Sequence, residues 1–471
     1  MALAPPPSAP LPVHPSRPQR EDFRRLFTLA LPVIVAQFGL MGMSVVHTIM
    51  VGHVSAADLA AAALGNLYFM TSAGFGWGVL MALDPIVSQA VGARDEDGLA
   101  RGVQRGVVLS LVVSAVTLLL LLPARAVFVA TRQPAEVVPL AVGYLNAAIP
   151  GLIPISLFMA LRQTLTAMHR MAPIVIAVVG ANVLSFLFGW ALIFGEAGFP
   201  RMGAVGAGVA AMLARWGMLL LLLAFGWRSL WPLVRHWHRD ALALGPLLRM
   251  LGLGTPIGIQ LALEIGVFSV VGLMMGPLGT ATVAGHHVAI NVASLAYMVP
   301  LGIGGAAAVL VGHAVGAHDA NRARRAAAAA LLSGAGLMSL AGLGLALGSR
   351  AIAGVYTIDP AVIDVTAKLL VMAALFQVFD AIQSIGIGVL RGTGDTRVPM
   401  IVNLLGYWGL GLPASLLFGF TLHGGAVGMW WGLVIGLAAV AAIILARVVV
   451  RLRGGLVRVR IDEPAVTAAA T

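Results

Sequence analysis

From about residue 24 to residue 450 the chain is a succession of apolar segments, most of them 20 residues or longer, separated by short polar breaks. A helix needs about 20 apolar residues to cross the hydrocarbon core of a bilayer. Inside that core every backbone N–H and C=O must be satisfied within the protein, so runs of this length select helices. Composition agrees: 60% of the 471 residues are hydrophobic, 10% are charged, and mean hydropathy is +0.97. Soluble domains carry roughly 25% charge. The expected fold is therefore an all-α integral membrane protein in the lipid bilayer. Spans are expected near 24–52, 60–86, 103–123, 138–161, 172–195, 203–227, 247–275, 283–313, 325–347, 365–390, 398–420 and 426–450, several long enough to need a tilt or a bend.

The charge balance sets orientation. There are 29 Lys plus Arg against 18 Asp plus Glu, a net +11. Arginines scattered singly between apolar runs suit loop anchors and not a phosphate-binding face, so no nucleic-acid partner is expected. With the N-terminus inside, Arg125, Arg132, Arg201, Arg350 and Lys368 fall outside and Arg215 falls within a span; the other basic residues, Arg162 and Arg391 among them, fall on the cytoplasmic side. This satisfies the positive-inside rule with both termini cytoplasmic. Cysteine is absent, which excludes disulfides, zinc ribbons and a Cys nucleophile. Lys368, the sole lysine, stands outside any Gly-Lys-Ser/Thr string, so no ATP-binding P-loop is present.

The chain repeats itself. Pro32 in LPVIVAQ corresponds to Pro256 in TPIGIQ, and VSQAVGARDEDGLAR to VGHAVGAHDANRARR, with Gly92 on Gly316, Asp95 on Asp319 and Arg101 on Arg325. GAVG recurs at 203–206 and 425–428. Six helices per half is an even number, so both halves enter from the same side and are related by a pseudo-two-fold axis along the membrane normal. The expected organisation is a disordered tail over 1–23, an N-lobe over 24–227 (helices 1–6), a cytoplasmic linker over 228–246, a C-lobe over 247–450 (helices 7–12) and a basic tail over 451–471. Two like-oriented bundles leave a cleft between them, a transporter layout.

Most acids fall at helix ends or in loops; Asp84, Glu264 and Asp380 fall inside apolar runs. An acid at helix centre costs at least ~2.5–3.5 kcal/mol on insertion scales, which makes it a functional candidate. The alternative is a purely structural pairing. Glu264 has no basic residue near it in sequence, Asp380 has Arg391 three turns away, and Asp84 precedes Pro85 close to the end of its span. A carboxyl removed from water disfavours its charged form and holds a proton, a sodium ion or an organic cation, one at a time. That competition couples inward cation flow to outward movement of a cationic solute. One charge crossing 100 mV supplies about 2.3 kcal/mol, enough for roughly a 40-fold gradient.

The strings MSVVHTIMVGHVSAADLAAAALGN, MALDPIVSQAVGAR, VAGHHVAINVASLAYMVPLGIGGAAAVLVGHAVGA and FQVFDAIQSIGIGVLRGTGDTRVP resemble the multidrug and toxic compound extrusion family, in its NorM-like bacterial branch. The resemblance runs from about 24 to 450. It implies twelve helices in two lobes and export of organic cations against sodium or protons. It also implies that Glu264 in helix 7 and Asp380 in helix 10 share a coupling-cation site, and that Pro32 is where helix 1 bends. The sequence departs from the family at several positions. His47 stands where helix 1 often carries an acid, Ser185 and Gly189 stand at the usual helix 5 asparagines with Asn182 one turn away, and Phe376 replaces an aromatic hydroxyl. His47, Asp84 and Asn182 are thus the candidates for an N-lobe proton or polar site; a neutral, hydrogen-bonded His47 is the structural alternative.

His286-His287 has no further ligand at useful spacing, so no metal is expected. Abundant Gly suits helix packing, and most Met fills the core. Phe268, Tyr297, Met298, Phe376 and Gln383 are expected to line a cleft for varied apolar cations. The leading expectation is a cation-coupled (Na+ or H+) multidrug antiporter of the inner membrane: monomeric, not an enzyme, without a cofactor, alternating between inward- and outward-open lobes. A flippase for a lipid-linked saccharide would need a cleft lined by several arginines. A membrane-embedded enzyme would need a midplane His/Asp/Ser or metal cluster.

Overall fold

The computed structural model describes residues 17–462; the outer parts of both expected tails, 1–16 and 463–471, lie outside the described residues. Twelve helices are long and apolar enough to span a membrane: α1 (Arg20–Gly52), α2 (Ala56–Gly92), α3 (Glu96–Leu121), α4 (Val137–Ala167), α5 (Ala172–Phe194), α6 (Gly203–Val234), α7 (Leu244–Leu278), α8 (Thr280–Gly316), α9 (Ala320–Tyr356), α10 (Pro360–Gly392), α11 (Arg397–Thr421) and α12 (Gly425–Arg453). The helices outrun the hydropathy windows because their ends carry polar caps that an apolar count omits. Residues 20–23, expected in the tail, are helical: the Asp22 carboxylate accepts the backbone N–H of Gln19 at 2.8 Å, and Glu21 and Asp22 sit in the first turn. α1 runs unbroken through Pro32. Within α11 the turns over Leu404–Gly411 and Leu417–Thr421 widen to π-helix around Pro413, while Gly411 lies against Gly436 of α12.

The two halves form six-helix lobes whose contacts exchange under the repeat: α1 packs on α8, and its counterpart α7 packs on α2. The turn after α2 and the turn after α8 share one geometry. Arg94 and His318 take φ of 55° and 57°, and Asp95 and Asp319 then cap α3 and α9 through the N–H groups of Gly98 and Arg322. At this basic end the lobes touch backbone to backbone. A Cβ on Gly92 would overlap the main chain of His313, and one on Gly316 that of Gln89. The expected basic tail does not hang free. After α12 the chain folds into the seam between lobes, where Arg458 pairs with Asp95 at 2.6 Å and Val459 N–H donates to Gln89 Oε1 at 2.7 Å. Asp462 pairs with Arg101 at 3.0 Å and Arg105 at 2.5 Å, while Arg249 donates to the Ile461 carbonyl.

Candidate functional site

Glu264 on α7 and Asp380 on α10 come together inside the C-lobe. Asp380 is 7% exposed and Glu264 half-buried, and they lie close enough for their charges to act on one another. Tyr297 on α8 and Tyr407 on α11 are within reach of both acids. Neither acid has an ion-pair partner among the described residues. The wide turn of α11 carries Tyr407 onto Gln383, whose Oε1 accepts the phenol at 3.4 Å and whose Nε2 donates to Asn403 Oδ1 at 3.3 Å. Trp408 Nε1 donates to the Leu263 carbonyl, which fixes α11 against the turn that bears Glu264. Phe268 and Phe376 meet edge to face at 5.9 Å, with Trp430 on the other side of Phe376.

A cavity of about 470 Å³ lies within the N-lobe, its C-lobe wall formed by Leu261, Tyr297, Met298 and Leu301. Tyr297 and Met298 line it; Phe268, Phe376 and Gln383 are packed instead into the C-lobe core. On the N-lobe side its wall holds His47, Tyr144, Arg162 and Arg215. His47 is hydrogen-bonded to the Ser185 hydroxyl at 2.8 Å and lies 3.3 Å from its carbonyl. Asn182 turns to backbone, donating to the carbonyls of Gly39 and Val178 at 2.9 and 2.8 Å. It ties α5 to α1 and does not face the cavity.

Asp84 is not a lone acid. Its Oδ2 meets Arg391 Nε at 2.9 Å, both side chains buried, so Arg391 is engaged across the lobe boundary and not with Asp380. Arg391 also reaches Met81 Sδ at 3.2 Å. Arg162, expected on the cytoplasmic side, is buried: α4 continues to Ala167, and the guanidinium turns inward to donate to Gln37 Oε1 at 2.7 Å. Asp84, Arg162 and Arg391 line a smaller cavity of about 40 Å³ that adjoins the larger one. The chain separation between Asp84 and Arg391 hid their pairing. Arg162 reads as a loop anchor because the apolar run ends before it, whereas the helix continues about one and a half turns further, to Ala167. No group of three or more His, Asp or Glu suited to a metal occurs among the described residues; His286 instead accepts the Trp430 indole at 3.2 Å.

A model of the MatE family matches residues 32–191 and 256–417, one copy in each lobe. The chain is 35% identical over 435 residues to the multidrug resistance protein MdtK of Pectobacterium atrosepticum, covering 91% of this chain and 95% of the relative. MdtK of Yersinia pseudotuberculosis is 34% identical over 448 residues, with 91% and 95% covered. Among solved structures, the eukaryotic MATE transporter AtDTX14 superposes with a TM-score of 0.83 at 23% identity, covering 91% of this chain and 96% of that one. The Vibrio cholerae MATE transporter VcmN in its bent form gives 0.81 at 17%, with 92% and 97% covered.

Proposed function

The chain belongs to the MatE family, and on that premise we propose that it is a multidrug exporter of the bacterial inner membrane, with both termini inside, that extrudes organic cations in exchange for Na+ or H+. Relatives named as multidrug resistance proteins over nine-tenths of the chain support the substrate class. The observation that carries the mechanism is the pairing of half-buried Glu264 with buried Asp380, mutually interacting and without a guanidinium. Two carboxylates withheld from water gain most from whichever cation neutralises them. A coupling ion and a cationic drug therefore exclude one another. A lobe movement that alternates the cavity between the two membrane faces turns that exclusion into exchange. The N-lobe lacks an acid at His47, which leaves coupling to the C-lobe pair.

The test is export of ethidium from a pump-deficient host. Glu264→Gln combined with Asp380→Asn is expected to abolish it while the protein still reaches the membrane; export at the wild-type rate overturns the reading. Imposing a pH gradient or a sodium gradient separately on proteoliposomes identifies the ion.

A further inference from the structure

The large cavity carries a feature that a pump for cations does not call for. No carboxylate stands among the residues that line it, yet two guanidiniums do. Arg162 donates to Gln37 and lies within the field of Asp84. Arg215, midway along α6, is not occupied in this way. It is 7% exposed and has no ion-pair partner among the described residues. The ring of Phe69 lies 4.1 Å from Cζ, Tyr144 and Gly151 are neighbours, and one long hydrogen bond of 3.5 Å runs to the Ala148 carbonyl. A guanidinium has five N–H donors in a planar fork suited to a carboxylate. A charge buried in a membrane protein without a partner is expensive and marks a ligand path. Phe69 lies on the face of this one, and Nη1 alone is engaged, through the long bond to Ala148.

We infer that Arg215 is the anion-recognising residue of the cavity, and that it selects substrates bearing a carboxylate on an apolar, drug-sized frame. The volume of about 470 Å³ suits one such molecule, and Met43, Met70, Trp77, Met159, Met218 and Met298 supply an adaptable apolar lining. On the far wall Tyr297 lies within reach of Glu264 and Asp380. The cavity therefore has a positive pole at Arg215 and a negative one behind Tyr297. A zwitterion with an amine at one end and a carboxylate at the other satisfies both. This inference rests on the exporter reading and narrows its substrate class.

The test uses a zwitterionic fluoroquinolone and its methyl ester, which differ only in the carboxylate. Binding of each to purified full-length protein is measured by tryptophan fluorescence, beside ethidium export from cells. Wild type is expected to bind the acid at least tenfold more tightly than the ester. Arg215→Gln is expected to erase that preference, and Arg215→Lys to keep part of it. Equal binding of acid and ester by wild type overturns the inference, and so does a preference that survives in both variants. If wild type exports neither drug nor ethidium, the exporter reading fails instead, and the matched pair on purified protein still decides the role of Arg215.

Discussion

Gln89 and His313 occupy equivalent positions of the two repeats, and each hydrogen-bonds across the lobe boundary to the last turn of the other lobe's fourth helix. Gln89 Nε2 donates to the Gly392 carbonyl at 2.9 Å, and His313 Nε2 donates to the Ala167 carbonyl at 2.8 Å. The pair forms a two-fold latch at the basic end, reinforced by Gln89 Oε1, which receives the returning tail. A hydrogen bond of this kind contributes ~1 kcal/mol net. Gln89→Ala is therefore expected to raise the population open at this end about fivefold, and Gln89→Ala with His313→Ala by considerably more. The chain has no cysteine, so spin labels at Asp97→Cys and Asn321→Cys, exposed equivalent sites on α3 and α9, report the separation directly.

The buried Asp84–Arg391 pair predicts an asymmetric mutational pattern. Removing one member of a buried pair costs about 3–5 kcal/mol because the other charge is stranded, whereas replacing both with apolar groups is often neutral. Asp84→Asn is expected to part the lobes, since it leaves Arg391 and Arg162 facing one another with no carboxylate between them. Asp84→Leu with Arg391→Met is expected to restore closure while impairing transport. Thermal midpoints and label distances for the double-mutant cycle check this; additive effects would show that the pair does not hold the lobes.

The turn between α4 and α5 gives the closed form a pH dependence. His169 Nε2 lies 3.3 Å from His313 Nδ1. Partial burial, and then the positive charges of Arg322 and Arg25, hold His169 below its ordinary value of 6.5. The closed form thus binds fewer protons at this site than a form in which the turn is free. Its advantage is full above about pH 6.5 and is lost as pH falls. Closure measured between the same labels should weaken from pH 7.5 to pH 5, and His169→Gln should flatten that response. An unchanged slope in the variant would assign it elsewhere.

The returning tail predicts the outcome of a truncation. Ending the chain at Gly455 removes the partners of Arg101, Arg105 and Arg249; Arg105 is 2% exposed and would be left buried without its carboxylate. The truncated protein is expected to melt several degrees lower and to be cleaved faster by trypsin near Arg105. Asp462→Asn should reproduce part of the loss.

Hydropathy fixes the number of spans because the bilayer imposes one length scale on every helix. It therefore made the twelve helices legible, while the matching strings at 87–101 and 311–325 made the Gly92/Gly316 correspondence legible. The isolation of Glu264 was legible for the same reason, since a charge in an apolar run is visible without a fold. What escaped was long-range pairing. Asp84 and Arg391 lie in different lobes, and nothing local in either segment announces the other. Arg162 and Arg391 read as loop anchors because composition cannot tell a guanidinium facing headgroups from one turned into a seam. The order over 455–462 was hidden too, because its hydrogen bonds go to side chains of α2, α3 and α7 and not to its own backbone.

The glycine contacts at the basic end have a consequence for ion economy. Where main chain meets main chain, as at Gly92 and Gly316, there are no side-chain rotamers through which a seal can loosen by degrees. The junction is either shut or parted, and a wedge as small as a methyl group parts it. Under the exchange proposed above, an intermediate open to both sides at once would waste the driving ion gradient. A barrier of bare backbone removes the half-shut geometry through which such an exchanger would leak.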